Sequence, residues 1–294
     1  MRRHFANLGS AGRLAVFAAL LATVAAFAAA VGAATKSGPS SRAASSHAGG
    51  MSGMDEAMTP AEQAQASGLA SSAGGLTLEP LQTRFAVGRT RFHFRIVDSA
   101  GRSRNDFTKE GGVRLHLIVV RRDMVGYTHV HPRLEQNGSW SVPLAFSQPG
   151  AYRAFADFER DGAKTVLGTD LFVGGKMDAQ PLPLPQSSAI VDGYHVVLAA
   201  PRLLAGTETT LGFAITRSGE PVSRFENYVG MRGHLVVLHE GDLSYLHVHP
   251  LEGSKSGEID FRTMLQAPGR YRLFLQFKTR GRVHTAPFTV EVPR

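Results

Sequence analysis

Histidine is the residue type whose spacing most directly suggests chemistry in this 294-residue chain. Six of its twelve histidines stand at His116, His129 and His131, and again at His234, His247 and His249. Residues i and i+2 of a strand project to one face, so His129 and His131 point together, as do His247 and His249. If a hairpin turning around residues 122–125 sets His116 opposite His131, their Cβ atoms lie about 5 Å apart and His129 sits diagonally beside them. A slip of one residue would send His116 to the other face and dissolve the group. Three imidazoles with open coordination positions suit Zn²⁺ or Cu²⁺. The expectation is therefore a three-histidine copper or zinc face in each half of the chain. Taken singly, an H-x-H pair reads first as a solvated edge pair, and a histidine between Leu115 and Leu117 as a hydrogen-bonded core group. It is their recurrence that raises the metal reading.

That recurrence is an internal repeat. The stretch from His116 to Pro132 aligns without a gap on the stretch from His234 to Pro250, with eight of 17 positions identical. The match resumes, one inserted residue later, as Pro149-Gly150-Ala-Tyr152-Arg153 against Pro268-Gly269-Arg-Tyr271-Arg272. Tyr127 and Tyr245 alternate onto the histidine face and are expected to pack there as aromatic walls. Pro132 and Pro250 end their strands because proline lacks the ladder N–H, and the Pro-Gly pairs make turns.

The elements that must carry these residues read as short strands. In the first copy they cover 76–79, 90–97, 113–120, 128–131, 139–146, 151–158 and 167–173, punctuated by Gly, Pro and Asp and without a long amphipathic helix. The predicted fold is all-β, two tandem immunoglobulin-like antiparallel β-sandwiches at 76–175 and 190–294 joined by a Pro-rich linker over 176–189. A tandem cupin-like barrel is the alternative, since His129-Val-His131-Pro-Arg-Leu-Glu135 fits part of a cupin metal motif. The second copy breaks that fit, because Glu252 comes one residue too early.

Residues 1–35 carry Arg2, Arg3 and Arg13 before an uncharged run rich in Ala, Leu, Val and Phe, which serves equally as a signal peptide or a membrane anchor. Either places the remainder outside the cytoplasm, secreted or held at the membrane. Residues 36–75 form a Ser/Gly/Ala linker of disordered type. Within it, His47, Met51, Met54 and Met58 offer one imidazole and three thioethers, a softer set with Cu(I) character.

Composition removes other classes. Without cysteine there is no disulfide, thiolate metal site, cysteine nucleophile or lipoprotein anchor. The net charge of +8 suits a polyanionic wall or a cell-envelope protein as neighbour, but the arginines form no stripe and no nucleic-acid motif accompanies them. No nucleophile elbow or phosphate loop is present, and Glu135 and Glu252, the acids nearest the histidines, sit at unequal offsets. Catalysis is not expected. The remaining alternative to metal binding is an adhesion or scaffold module of the cell envelope.

The phrases His116-Leu-Ile-Val-Val and Gly233-His234-Leu-Val-Val, each followed by His-Val-His-Pro and Pro-Gly-x-Tyr-Arg, resemble a family of uncharacterised actinobacterial secreted or membrane-anchored proteins. The resemblance spans both copies. It implies export, a tandem β-rich organisation and an association with heavy-metal or copper handling.

Overall fold

The computed structural model describes residues 67–294 apart from His247, Glu252 and Ser254; the side chain of His249 is also outside the description. The leader over 1–35 and the cluster of His47, Met51, Met54 and Met58 lie outside the described residues. Among the described residues no helix is long and apolar enough to cross a membrane.

Each repeat is a pair of packed sheets. In the first, one sheet runs in the order Ser72–Ala73, Leu76–Pro80, Gly88–Asp98, Trp140–Phe146, Arg133–Leu134. The other runs Arg84–Phe85, Ala163–Val173, Gly150–Arg160, His116–Arg121, Thr128–Val130. In the second repeat the sheets are Ser188–Val191, Tyr194–Ala199, Glu208–Arg217, Glu258–Met264, His249–Pro250, and Tyr245–Leu246, Gly233–His239, Gly269–Thr279, Arg282–Val292. Pairing is antiparallel except where Arg84–Phe85 joins Ala163–Val173. The fold is thus a tandem of immunoglobulin-like sandwiches, and the two open sheets of each repeat replace the closed barrel held as the alternative.

Alternation builds each core. Phe92, Phe94 and Ile96 point inward from one strand of the first repeat and meet Leu117, Val119, Ala154 and Ala156 from the facing sheet. In the second repeat Phe213, Ile215, Leu235, Val237, Leu273 and Leu275 do the same. The central strands are apolar on both faces, which requires a second cover for the outer one.

That cover is the other repeat. Ile118, Val120, Met124, Phe155 and Val166 from the outer face of the first repeat form a third core with Val236, Leu238, Leu243, Tyr245 and Phe274 of the second. Tyr127 stacks on Phe274 with ring centroids 4.0 Å apart and planes 10° from parallel. Leu182, from the Pro-rich linker, also belongs to this core, and its carbonyl accepts a hydrogen bond from Arg270 at 3.3 Å. Leu182 anchors the linker at this point, while Leu184 two residues on is exposed. Loops close the same junction: Gly111, at φ 53°, lies where a β-carbon would collide with the Val229 backbone.

Because the third core belongs to both repeats, they are expected to unfold in one cooperative transition. Phe274→Ala is expected to cost about 3–5 kcal/mol in urea unfolding, the range for truncating a buried Phe. Two separate transitions in the unsubstituted protein would contradict the shared core.

Candidate metal centre between the repeats

The hairpin that carries the histidines takes the register anticipated above. Arg121 N–H bonds the Val125 carbonyl at 2.9 Å and Met124 N–H bonds the Arg121 carbonyl at 2.8 Å, with Met124 at φ 64° in the turn. Leu117 then opposes Val130 and Ile118 opposes His129. Leu117 and Val130 face the first core, while Ile118 faces the junction. His116, two residues before Ile118, and His129, directly across from it, therefore emerge on the junction side.

All three histidines of this repeat gather there. His116, His129 and His131 each offer a ring nitrogen, and these nitrogens lie within 4.8 Å of one another. Ring centroids are 5.1 Å apart for His116 and His129, and 5.0 Å for His131 with either neighbour. His116 Nδ1 and His129 Nε2 are 2.9 Å apart. Metal–nitrogen bonds of about 2.0–2.1 Å set such pairs about 2.9 Å apart at a right angle and about 3.3 Å apart at a tetrahedral one. The Nε2 of His131 is buried without a hydrogen-bond partner, a condition that costs roughly 1–3 kcal/mol unless something fills it.

The second repeat completes the surroundings. His234 stands with its ring centroid 5.5 Å from those of both His116 and His129, and its Nε2–H donates to the Tyr228 carbonyl at 3.0 Å. The Tyr228 ring lies 6.1 Å from His129 and from His131. Gln276 Oε1 accepts from His129 Nδ1 at 2.6 Å. Thus the histidine face of the first copy is roofed by the second; of the matching face expected at His234, His247 and His249, only the His234 side chain lies among the described residues. In the second copy, Val237 opposes Leu246 in a short ladder, and the His249 backbone pairs with Arg262 on the other sheet.

Other predicted residues fall elsewhere. Glu135 accepts a hydrogen bond from Ser141, on the sheet opposite the histidines, so the cupin-like role does not apply to it. His284, a histidine outside the predicted set, pairs with Asp192 at 2.7 Å inside the second repeat. Tyr127 packs against Phe274 in the third core, while Tyr245 lines the cavity beside His116 and His129 and its hydroxyl donates to Asp157 at 2.8 Å. Asp157 lies directly across the ladder from His116 and, with Glu110 and Lys164, lines a cavity of about 300 Å³ that reaches His116, His129 and His234. Sequence reasoning missed Asp157, Tyr228 and Gln276. A signal existed for two of them, as lone polar residues on the apolar strands Phe155-Ala-Asp157-Phe158 and Phe274-Leu-Gln276-Phe277.

Electrostatics keep the rings neutral. Burial pulls His116 down to about 4, with Asp157 opposing and the neighbouring His234 and His131 adding to the fall. Burial likewise takes His131 to about 4, and it lowers His129 well below the usual imidazole range. Neutral imidazole is the form that binds a cation.

A family profile described as a domain of unknown function (DUF8832) matches residues 71–174 and 189–294. No match was found among curated proteins. Among solved structures, the Escherichia coli adhesin FdeC is 15% identical with a TM-score of 0.25, over 76% of this chain and 65% of that one. A putative membrane-anchored protein from Corynebacterium diphtheriae is 10% identical with a TM-score of 0.23, over 75% of this chain and 57% of that one. Domains 4 and 5 of the S-layer protein SbsC are 11% identical with a TM-score of 0.22, over 74% and 98% respectively. The chain spans less than two thirds of the length of the adhesin, and 16% of an Escherichia coli alpha-2-macroglobulin that it also matches.

The depressed imidazoles fix a pH dependence. Between the unfolded value of 6.5 and the folded value of about 4, the unfolded chain binds more protons, so stability contributed by His116 and His131 is present above 6.5 and is lost as pH falls through that window. Urea midpoints measured from pH 7 to pH 4 are expected to fall, and to fall less steeply in His131→Gln. An identical slope in both proteins would contradict the neutral, buried cluster.

Proposed function

From the premise that this chain belongs to the DUF8832 family of domains, twice over, we propose that it is an extracytoplasmic metal-binding module holding Zn²⁺ or Cu²⁺ between its two repeats. The observation that carries this reading is the convergence of His116, His129 and His131, with the buried Nε2 of His131 left without a partner. Neutral nitrogen donors, without thiolate, favour those two ions over calcium or magnesium, which demand oxygen ligands. The role is binding or trafficking. The leader, by its arginines and apolar run, supports export to the cell surface or anchoring at the membrane, where the positive charge suits a polyanionic wall.

A second reading is a metal-free scaffold or adhesion module of the cell envelope. What favours it is the third core, which fixes two sandwiches into one unit, together with the hydrogen bonds from His116 to His129 and from His129 to Gln276 that partly satisfy the cluster as it stands. In that reading the imidazoles are polar cement at the junction.

Calorimetric titration of the purified chain with Zn²⁺ and with Cu²⁺ separates the two. Saturable binding is expected, and His129→Ala with His131→Ala should abolish the junction site while circular dichroism stays that of a β-protein. Uptake that is unchanged in the double variant would remove the metal reading and leave the scaffold.

A further inference from the structure

Resting on the metal reading above, we infer that Gln276 of the second repeat is the positioning residue that makes His129 of the first repeat a metal ligand. An imidazole has one protonated nitrogen when neutral, and the partner of that nitrogen decides which lone pair remains available. In the structure Gln276 presents its amide oxygen to His129. Its Oε1 faces His129 Nδ1 at 2.6 Å, and its Nε2 donates to Thr285 Oγ1 at 3.1 Å on the adjoining strand. Gln276 is itself buried, and its strand pairs with that of Thr285 directly across the ladder.

The consequence runs inward through the ring. With the proton held on Nδ1, His129 Nε2 bears the lone pair, and Nε2 is the nitrogen that faces His116 Nδ1 at 2.9 Å. In the metal-free protein His116 Nδ1–H fills that lone pair. To bind a cation with both facing nitrogens, His116 would release its Nδ1 proton to water and take one up from water at Nε2, leaving its net charge unchanged. No such choice is open to the first repeat alone, because the hydrogen bond that selects the tautomer comes from the second. The two repeats therefore divide the work: one supplies ligands, the other sets their protonation and orientation. Outer-shell partners of this kind typically govern metal affinity by 10–100-fold.

The test uses the full chain with ¹⁵N-labelled histidine and Zn²⁺ as the probe, in Gln276→Leu, Gln276→Glu and Thr285→Val. Imidazole ¹⁵N shifts should place the His129 proton on Nδ1 in the unsubstituted protein and in Gln276→Glu, and distribute it over both nitrogens in Gln276→Leu. Zn²⁺ affinity should fall about 10–100-fold in Gln276→Leu and be restored by Gln276→Glu. Thr285→Val leaves Gln276 in place but untethered, and should give a smaller loss of affinity even if Gln276→Leu folds poorly. Zn²⁺ binding by the unsubstituted chain with affinity and tautomer unchanged in all three variants would overturn the positioning role alone. Failure of the unsubstituted chain to bind would overturn the metal reading itself, and the positioning role with it.

Discussion

The apolar docking of the two outer sheet faces is the interaction on which the rest of this molecule depends. Ile118 and Phe155 on one side, and Val236 and Phe274 on the other, are buried only because the repeats meet. Each large side chain so covered contributes about 1.5–3 kcal/mol relative to exposure. The same meeting leaves the imidazoles half-buried, and that partial burial is what lowers their basicity. Without the junction the three histidines of the first repeat would be an ordinary solvated group on a sheet.

Duplication explains how such a junction arises physically. Both copies keep an apolar run of the His-Leu-Val-Val type in the central strand of one sheet, and alternation sends half of each run outward. Two related folds each presenting an apolar outer face can satisfy one another, and the short segment around Leu182 keeps them close enough to do so. The polar residues that alternation places at the edge of this face are then trapped at the junction together. Histidine tolerates that position better than a fixed charge, because it can become neutral and share protons with a neighbouring ring.

Much of this was legible in the sequence. The β-character, the strand centres, the hairpin after Arg121 and the face shared by His116, His129 and His131 all follow from period-two alternation and turn residues. The strand expected to begin at residue 113 begins at His116, because Gly111 and Gly112 turn the chain and Val113 only bridges back to Glu110. What the sequence withheld was the partner of the outer face. The continuous Leu-Ile-Val-Val run states that both sides of the strand are covered, but nothing local says by what. Gln276 and Tyr228 could not be tied to the site for that reason: Gln276 showed only as a lone polar residue on an apolar strand, and both become neighbours of His129 through docking of segments about a hundred residues or more away in the chain, with no spacing rule to announce it.

The most direct measurement is a crystal of the metal-soaked chain, with anomalous scattering recorded at the zinc and copper absorption edges. A peak is expected at the junction within about 2.0–2.1 Å of His116 Nδ1, His129 Nε2 and His131 Nε2, with His129 Nδ1 still hydrogen-bonded to Gln276. A junction without a peak, its rings joined only to one another and to Gln276 at full metal saturation, would contradict the metal reading.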